Sequence, residues 1–364
     1  MKLIIIGFLY FAIMYLNRKK VSPFACFFIV FIVMAFQSNV TGDFYTYAAN
    51  FERYRQFGMD INSRLEIGWL WLNRLFGFSN FFVFYFCVAL FEIWVLSKFT
   101  KKYVPKAYWI LPAILFFFDM NMMFFQMKGL RQALAIELGV SAMYIIGDNV
   151  TKKNVLISLM LSLLAFSMHQ TALWVVVYVV LYIILSKTKV LFYGIKSGSY
   201  WLPLIAVGLY YFISISKVLL IDRLRPLLLQ LDLGGKEGYF GGMSTVSYHA
   251  LIDFIKGYFV FYVAYNLKYS YGMQRYITML CLFGLYMDMF LFGMGNLFRT
   301  ALYLTIFGIF VYPNVVNSLR MNNRKVEALI FLVLSVAYAF RTFITVSMRG
   351  MTDALDNYKF LFEF

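Results

Sequence analysis

Arg131 opens the segment Lys128-Gly129-Leu130-Arg131-Gln132-Ala133-Leu134-Ala135, where a polar stretch passes into an apolar run. Lys128 and Arg131 are three residues apart and share one helical face. The first turn of a helix there adds exposed N–H groups and the positive end of the helix dipole. Together these make an anion site. Arginine offers a planar fork for phosphate or carboxylate, which lysine matches poorly. The other reading of the two cations is snorkelling toward lipid headgroups. Arg299 begins Arg299-Thr300-Ala301-Leu302-Tyr303 in the same manner. It is a candidate second cation for the same ligand, with Tyr303 beside it.

Groups able to move protons are few. His169 stands in Ser167-Met168-His169-Gln170-Thr171-Ala172-Leu173, between two short apolar runs, and the other histidine is His249. An imidazole titrates near pH 6.5 and so suits a general base or a sugar-binding donor. A satisfied interface histidine is the plainer reading. Asp43 and Glu66 are the carboxylates closest to aromatic stripes, and each also fits a helix start, Asp43 as N-cap and Glu66 in a capping box with Ser63. A carboxylate beside Tyr45 and Tyr47 would suit sugar binding or removal of a hydroxyl proton. His249, Asp253 and Lys256 share a face and read as a compensated intramembrane group. Glu92, Glu137 and Asp288 fall inside apolar runs, where ionisable groups are costly and usually have a reason. No His/Asp/Glu/Cys grouping has metal-ligand spacing, and there is no Walker loop or nucleophile elbow. No cofactor is expected.

The elements that must hold these residues are membrane helices. The chain has 364 residues, 62% of them hydrophobic and 14% charged. Such a composition points to a polytopic all-α bundle, one integral membrane domain over residues 1–364. Apolar runs near 3–16, 24–40, 79–97, 107–119, 131–147, 154–168, 170–186, 200–221, 249–266, 276–295, 297–315 and 326–346 suggest about 12 spans. Several are shorter than the ~20 residues that cross a bilayer. The pair 154–168 and 170–186 reads as half-helices meeting at a hinge, and broken helices imply a cavity. Cys26, Cys87 and Cys281 read as small buried hydrophobes.

Loop chemistry sets the orientation. One set of loops carries Arg18-Lys19-Lys20, Lys98/Lys101/Lys102/Lys106, Lys152/Lys153, Lys187/Lys189/Lys196, Lys268/Arg275 and Arg320/Arg324/Lys325, and fits the cytoplasmic side. The other carries Arg53, Arg55, Arg64, Arg74, Arg131, Arg223, Arg225, Arg299 and Arg349. Outside, the positive-inside rule gives cations no help, so these arginines suit an anionic ligand at the membrane surface. The net charge of +16 is then largely cytoplasmic lysine, and the solvated loops are too short for a nucleic-acid domain. Both termini fall outside. Two outward stretches break the pattern. Residues 41–78 hold an amphipathic helix with Phe44, Tyr47, Phe51 and Tyr54 at helical spacing, ended by Gly58, then a Trp-bearing helix stopping at Gly77. Residues 222–248, rich in glycine, read as a lid.

Four short signatures occur in order: Gly42-Asp43 with Tyr47, Arg131-x-x-Leu134-Ala135, His169-x-Thr171-Ala172-Leu173 and Arg299-x-x-x-Tyr303. In order and topology the chain resembles the EpsG-like branch of Wzy-type polysaccharide repeat-unit polymerases, from about residue 24 to 345. The commonest family form has serine where this chain has Thr171. The resemblance implies a bacterial plasma-membrane enzyme with its active site on the extracytoplasmic side. It would transfer a glycan from undecaprenyl diphosphate to a hydroxyl of the next lipid-linked unit, without metal. It implies catalytic roles for His169, Asp43 and Arg131. Substrate contacts would come from Lys128, Arg299, Tyr47, Tyr45, Glu66 and Tyr303, and from Arg223 and Arg225 as members of the outward arginine set, since the loop 222–248 varies in the family and carries nothing over. Its partners would be the undecaprenyl-diphosphate-linked oligosaccharide, membrane lipids and a chain-length regulator. A lipid-linked oligosaccharide transporter or flippase, or another polysaccharide-modifying transferase, remains open.

Overall fold

A computed structural model of the chain describes residues 2–38, 42–58, 66–119, 122–123, 126–127, 129–187, 212, 248–266, 272–291, 299–348 and 359–360. The chain divides into two compact units, Met1–Ile184 with Val336–Phe364, and Leu185–Ser335. The first unit is built from α1 (Lys2–Leu16), α2 (Pro23–Ala35), α3 (Gly42–Phe57), α4 (Ile67–Leu75), α5 (Phe81–Tyr103), α6 (Ile110–Phe118), α7 (Leu130–Ile146), α8 (Lys152–Met168) and α9 (Leu173–Lys187). The second carries α10 (Tyr248–Asn266), α11 (Gly272–Leu291), α12 (Leu302–Thr305), α13 (Gly308–Met321) and the start of α14 (Lys325–Met348). Apart from one antiparallel pair, β1 (Gln37–Ser38) with β2 (Lys359–Phe360), the described residues are helical or turn.

The helices begin where their polar caps allow. Ser22 Oγ accepts the Ala25 N–H at 3.2 Å, with Pro23 in the first turn of α2. Asn80 caps α5 through Val83 N–H at 2.9 Å, and Thr151 caps α8 through Asn154 N–H at 3.2 Å. Each cap satisfies a donor that the helix leaves open. Most apolar runs expected from sequence recur as helices, but 24–40 is helical only to Ala35, 297–315 becomes a bent pair reaching Met321, and 200–221 lies outside the described residues apart from Phe212. Among the described residues two helices, Phe81–Tyr103 and Gln170–Lys187, are long and apolar enough to cross a membrane. Arg299–Thr305 and Gly308–Met321, bent by 43°, would make a third span if they act as one. The rest are short. The 13 residues of α2 reach about 20 Å at 1.5 Å per residue, against a ~30 Å hydrocarbon core.

Ring contacts and hydrogen bonds set the register within the first unit. Phe31 of α2 meets Phe86 of α5 at 5.2 Å, and Phe36 meets Phe82 at 6.0 Å, so α2 runs antiparallel to α5. Lys102 Nζ donates to the Tyr144 carbonyl at 3.1 Å, which brings the ends of α5 and α7 together. Ser158 Oγ donates to the Ala142 carbonyl at 2.8 Å, and α8 returns along α7. Tyr182 Oη then donates to the Gly147 carbonyl at 2.6 Å, so α9 descends the same length. The pair α8 and α9 is therefore a hairpin of two helices that each traverse α7. The expected halves of one broken span are not what forms.

This register sorts polar groups to opposite ends of the unit. Arg18, Lys19, Lys20, Lys101, Lys102, Lys152 and Lys153 gather at one end, where α2 and α8 start and α5 stops. The start of α7, the close of α8 and helix α4 meet at the other.

Candidate active site

At that second end a buried cluster forms around Arg131. Its Nη1 makes an ion pair with Glu66 Oε2, with side chains 23% and 12% exposed. Arg131 is also hydrogen-bonded to Tyr47. Its Nε is buried and has no hydrogen-bond partner among the described residues. Glu66 Oε1 in turn accepts the backbone N–H of Gln170 at 3.3 Å. One carboxylate thus ties the start of α7 to the turn between α8 and α9.

Local sequence explains the convergence. Along α3, Phe44 and Phe51 pack on Phe81 of α5 at 5.2 and 5.8 Å, and Tyr47 packs edge-on against Trp69 of α4 at 5.4 Å. This is the stripe expected from the 3.6-residue period, and Gly58, at φ 78°, ends the helix as expected. Helix α4 reaches the cluster through Gly68. A Cβ there would collide with Ser167 Oγ and lie 2.7 Å from the Ser167 carbonyl oxygen. Only a bare α-carbon permits that approach, and it brings Glu66 to Gln170. Nothing in the spacing of Gly68 signals this, because the partner lies a hundred residues away.

His169 ends α8 and caps the 3-10 turn Gln170–Ala172. Its Nδ1 accepts the Thr171 N–H at 3.3 Å and lies 2.6 Å from Thr171 Oγ1. A backbone N–H can only donate, so Nδ1 presents a lone pair and the neutral ring carries its proton on Nε2, a tautomer assigned from these bonds. In this tautomer the ring proton stands on Nε2, and Nδ1 is engaged within the turn.

Other expectations are modified. Glu66 is not the third residue of a capping box: it stands at the N-cap of α4 and makes no cap bond, because Arg131 and Gln170 take its oxygens. Asp43 lies within the first turn of α3, which begins at Gly42, and its side chain lies outside the described residues. Tyr45 is 53% exposed and points away from the face that holds Tyr47. Trp69 is buried against Tyr47, whereas Trp71 is exposed as an interface residue would be. Lys128, Arg223, Arg225 and the glycine-rich stretch 222–247 lie outside the described residues. In the second unit, Arg299 sits in the turn before α12 and Tyr303 is fully buried as a core residue. Lys256 is buried over the Tyr312 ring at 5.8 Å, and the side chains of His249 and Asp253 lie outside the described residues. Among the described residues no three His, Cys, Asp or Glu side chains group as metal ligands.

Compared with known proteins, residues 19–360 match the sequence profile of the EpsG family. The chain belongs to the EpsG family. EpsG-like proteins are Wzy-type polymerases, so membership makes this a polymerase-like membrane protein of polysaccharide biosynthesis. No curated protein and no solved structure matches the chain. The EpsG match spans both units and contains every member of the Arg131 cluster.

Proposed function

We propose that this EpsG family member polymerises undecaprenyl-diphosphate-linked oligosaccharide repeat units on the outer face of the plasma membrane. About a dozen spans and a cavity open to the outer leaflet belong to this reading. The observation that carries it is Arg131: a guanidinium fixed by Glu66 and Tyr47, with a buried Nε that still lacks an acceptor. A diphosphate oxygen supplies that acceptor. The sorting of lysines to the opposite end supports an outward site through the positive-inside rule.

In the reaction, an acceptor hydroxyl forms a bond to the anomeric carbon of the growing glycan as the bond to diphosphate oxygen breaks. Undecaprenyl diphosphate leaves with the electron pair, and Arg131 stabilises the charge that builds on it. His169, with its proton on Nε2, donates to a diphosphate or sugar oxygen. The hydroxyl proton then goes to a carboxylate, and Glu66 is the one held in the cluster, with Asp43 on the neighbouring helix α3 as the alternative. Tyr47, backed by the buried Trp69, gives the sugars an aromatic contact. The catalytic group is thus Arg131, His169 and a carboxylate, working without a nucleotide.

The test is an assay with purified lipid-linked repeat units in proteoliposomes. Arg131→Ala should lower the rate by about 10²-fold or more, as removal of a preorganised charge-stabilising donor does. Normal polymerisation by that variant at wild-type protein levels would overturn the reading.

A further inference from the structure

Glu92 on α5 and Glu137 on α7 take no part in the Arg131 cluster. They are 2% and 0% exposed, and each lies near the middle of its helix. The two carboxyls interact electrostatically. Both oxygens of Glu137 and Oε2 of Glu92 have no hydrogen-bond partner among the described residues. Ser141, one turn beyond Glu137 on the same face, adds a hydroxyl that is 9% exposed and also without a partner.

The register fixes what faces them. Tyr144 shares the Glu137 face of α7 and meets Lys102 of α5, so that face looks toward α5. Gly139, on the opposite face, meets Tyr178 of α9. On α5 the Glu92 face continues to Leu96, Phe99 and Tyr103, whereas Phe82 and Phe86 turn toward α2. Around the pair, α2 supplies only Cys26 as a titratable group, α6 none, and α8 only Lys152 and Lys153 at its far start. From α9 come Tyr178 and Tyr182, which reach Gly139 and the Gly147 carbonyl. The charged residues of α3, Glu52, Arg53 and Arg55, belong to a helix that meets α5 at its opening turn, through Phe81 and Phe84. Lys102 is ten residues from Glu92, about 15 Å along the axis, and Arg131 six residues from Glu137, about 9 Å. Neither cation neutralises the pair.

Two ionised carboxylates buried at one apolar interface, with none of the cations named above beside them, carry a desolvation cost and mutual repulsion. A proton removes both problems. A protonated carboxyl is neutral, which lifts the repulsion and most of the desolvation cost. We infer that Glu92 and Glu137 form a proton-binding site at the α5–α7 interface, holding at least one proton inside the bundle. Loss of the proton sets like charges against each other and separates α5 from α7, the helix that carries Arg131. The site stands on its own, whatever the chain polymerises.

A hydrophobic carbodiimide tests this on the full chain in lipid vesicles. The reagent takes up the acid proton and the carboxyl oxygen, so it modifies buried carboxyls that keep their proton, which a water-soluble carbodiimide does not reach. Mass spectrometry should find the adduct at Glu92 or Glu137, several-fold above the water-soluble reagent, and falling as the pH is raised. Glu92→Gln with Glu137→Gln should abolish it. If that double variant does not insert, the wild-type mapping alone decides. No adduct at either residue, or an adduct indifferent to pH, would overturn the assignment.

Discussion

Arg131 spends its donors on two different acceptors, a carboxylate and a phenol, and keeps a third in reserve. A lysine carries the charge but cannot divide it along a fork. Arg131→Lys should therefore polymerise faster than Arg131→Ala and well below wild type, measured as initial rates at matched protein levels. Glu66→Gln keeps the shape but leaves Arg131 facing a neutral amide, and losing one member of a partly buried pair costs on the order of 3 kcal/mol at most. A clear drop in rate with unchanged membrane insertion is the expected result. For His169→Gln, a donor role predicts a lowered rate whose dependence on pH keeps its basic limb. Loss of that limb near neutral pH would instead make the imidazole the base. The place of Arg131 at a helix start was legible in the sequence. The bond that sets the His169 tautomer was not, because it depends on the backbone of a 3-10 turn that brings the Thr171 N–H to Nδ1.

At the scale of elements, helical periodicity carried a good deal. The stripe on α3 and its stop at Gly58 follow from spacing and from one glycine with positive φ. The close approach of α4 to the end of α8 does not. It rests on Gly68, whose partner Ser167 is distant in sequence and chosen only by the tertiary fold. Gly68→Val should push α4 off Ser167 and carry Glu66 away from Gln170. A shift near 1 Å in such an assembly can cost about 10²-fold in rate. The check is polymerisation against protein abundance in the membrane. A variant that accumulates normally and works normally would mean that the contact does not set the cluster. The same tertiary blindness hid the α8–α9 hairpin. Run length alone reads two short segments as one broken span, whereas Tyr182 bonded to Gly147 shows each running the length of α7.

For the whole molecule, the alternation of lysine and arginine loops anticipated the two chemically distinct ends of the first unit. Sidedness follows as a measurement. On a background free of native cysteines, Gln56→Cys, at the exposed end of α3, should react with an impermeant maleimide added to intact cells. Lys153→Cys, exposed at the start of α8, should react only after the membrane is opened. The opposite pattern would invert every outward assignment. Span count was less legible, because apolar composition marks a helix without fixing whether its length matches a bilayer. One further property lies in connectivity. The unit that bears Arg131 is discontinuous: Phe340 packs on Phe8 at 5.6 Å and on Phe118 at 5.7 Å, and Lys359–Phe360 pairs with Gln37–Ser38. The ribosome therefore releases the first nine helices long before the segment that closes them, and all of α10 to α13 is synthesised in between. Until the last stretch arrives, the Phe8 and Phe118 rings and the β1 edge wait uncovered. A nascent chain stalled in α13 thus holds Arg131, Glu66 and His169 in a unit still open.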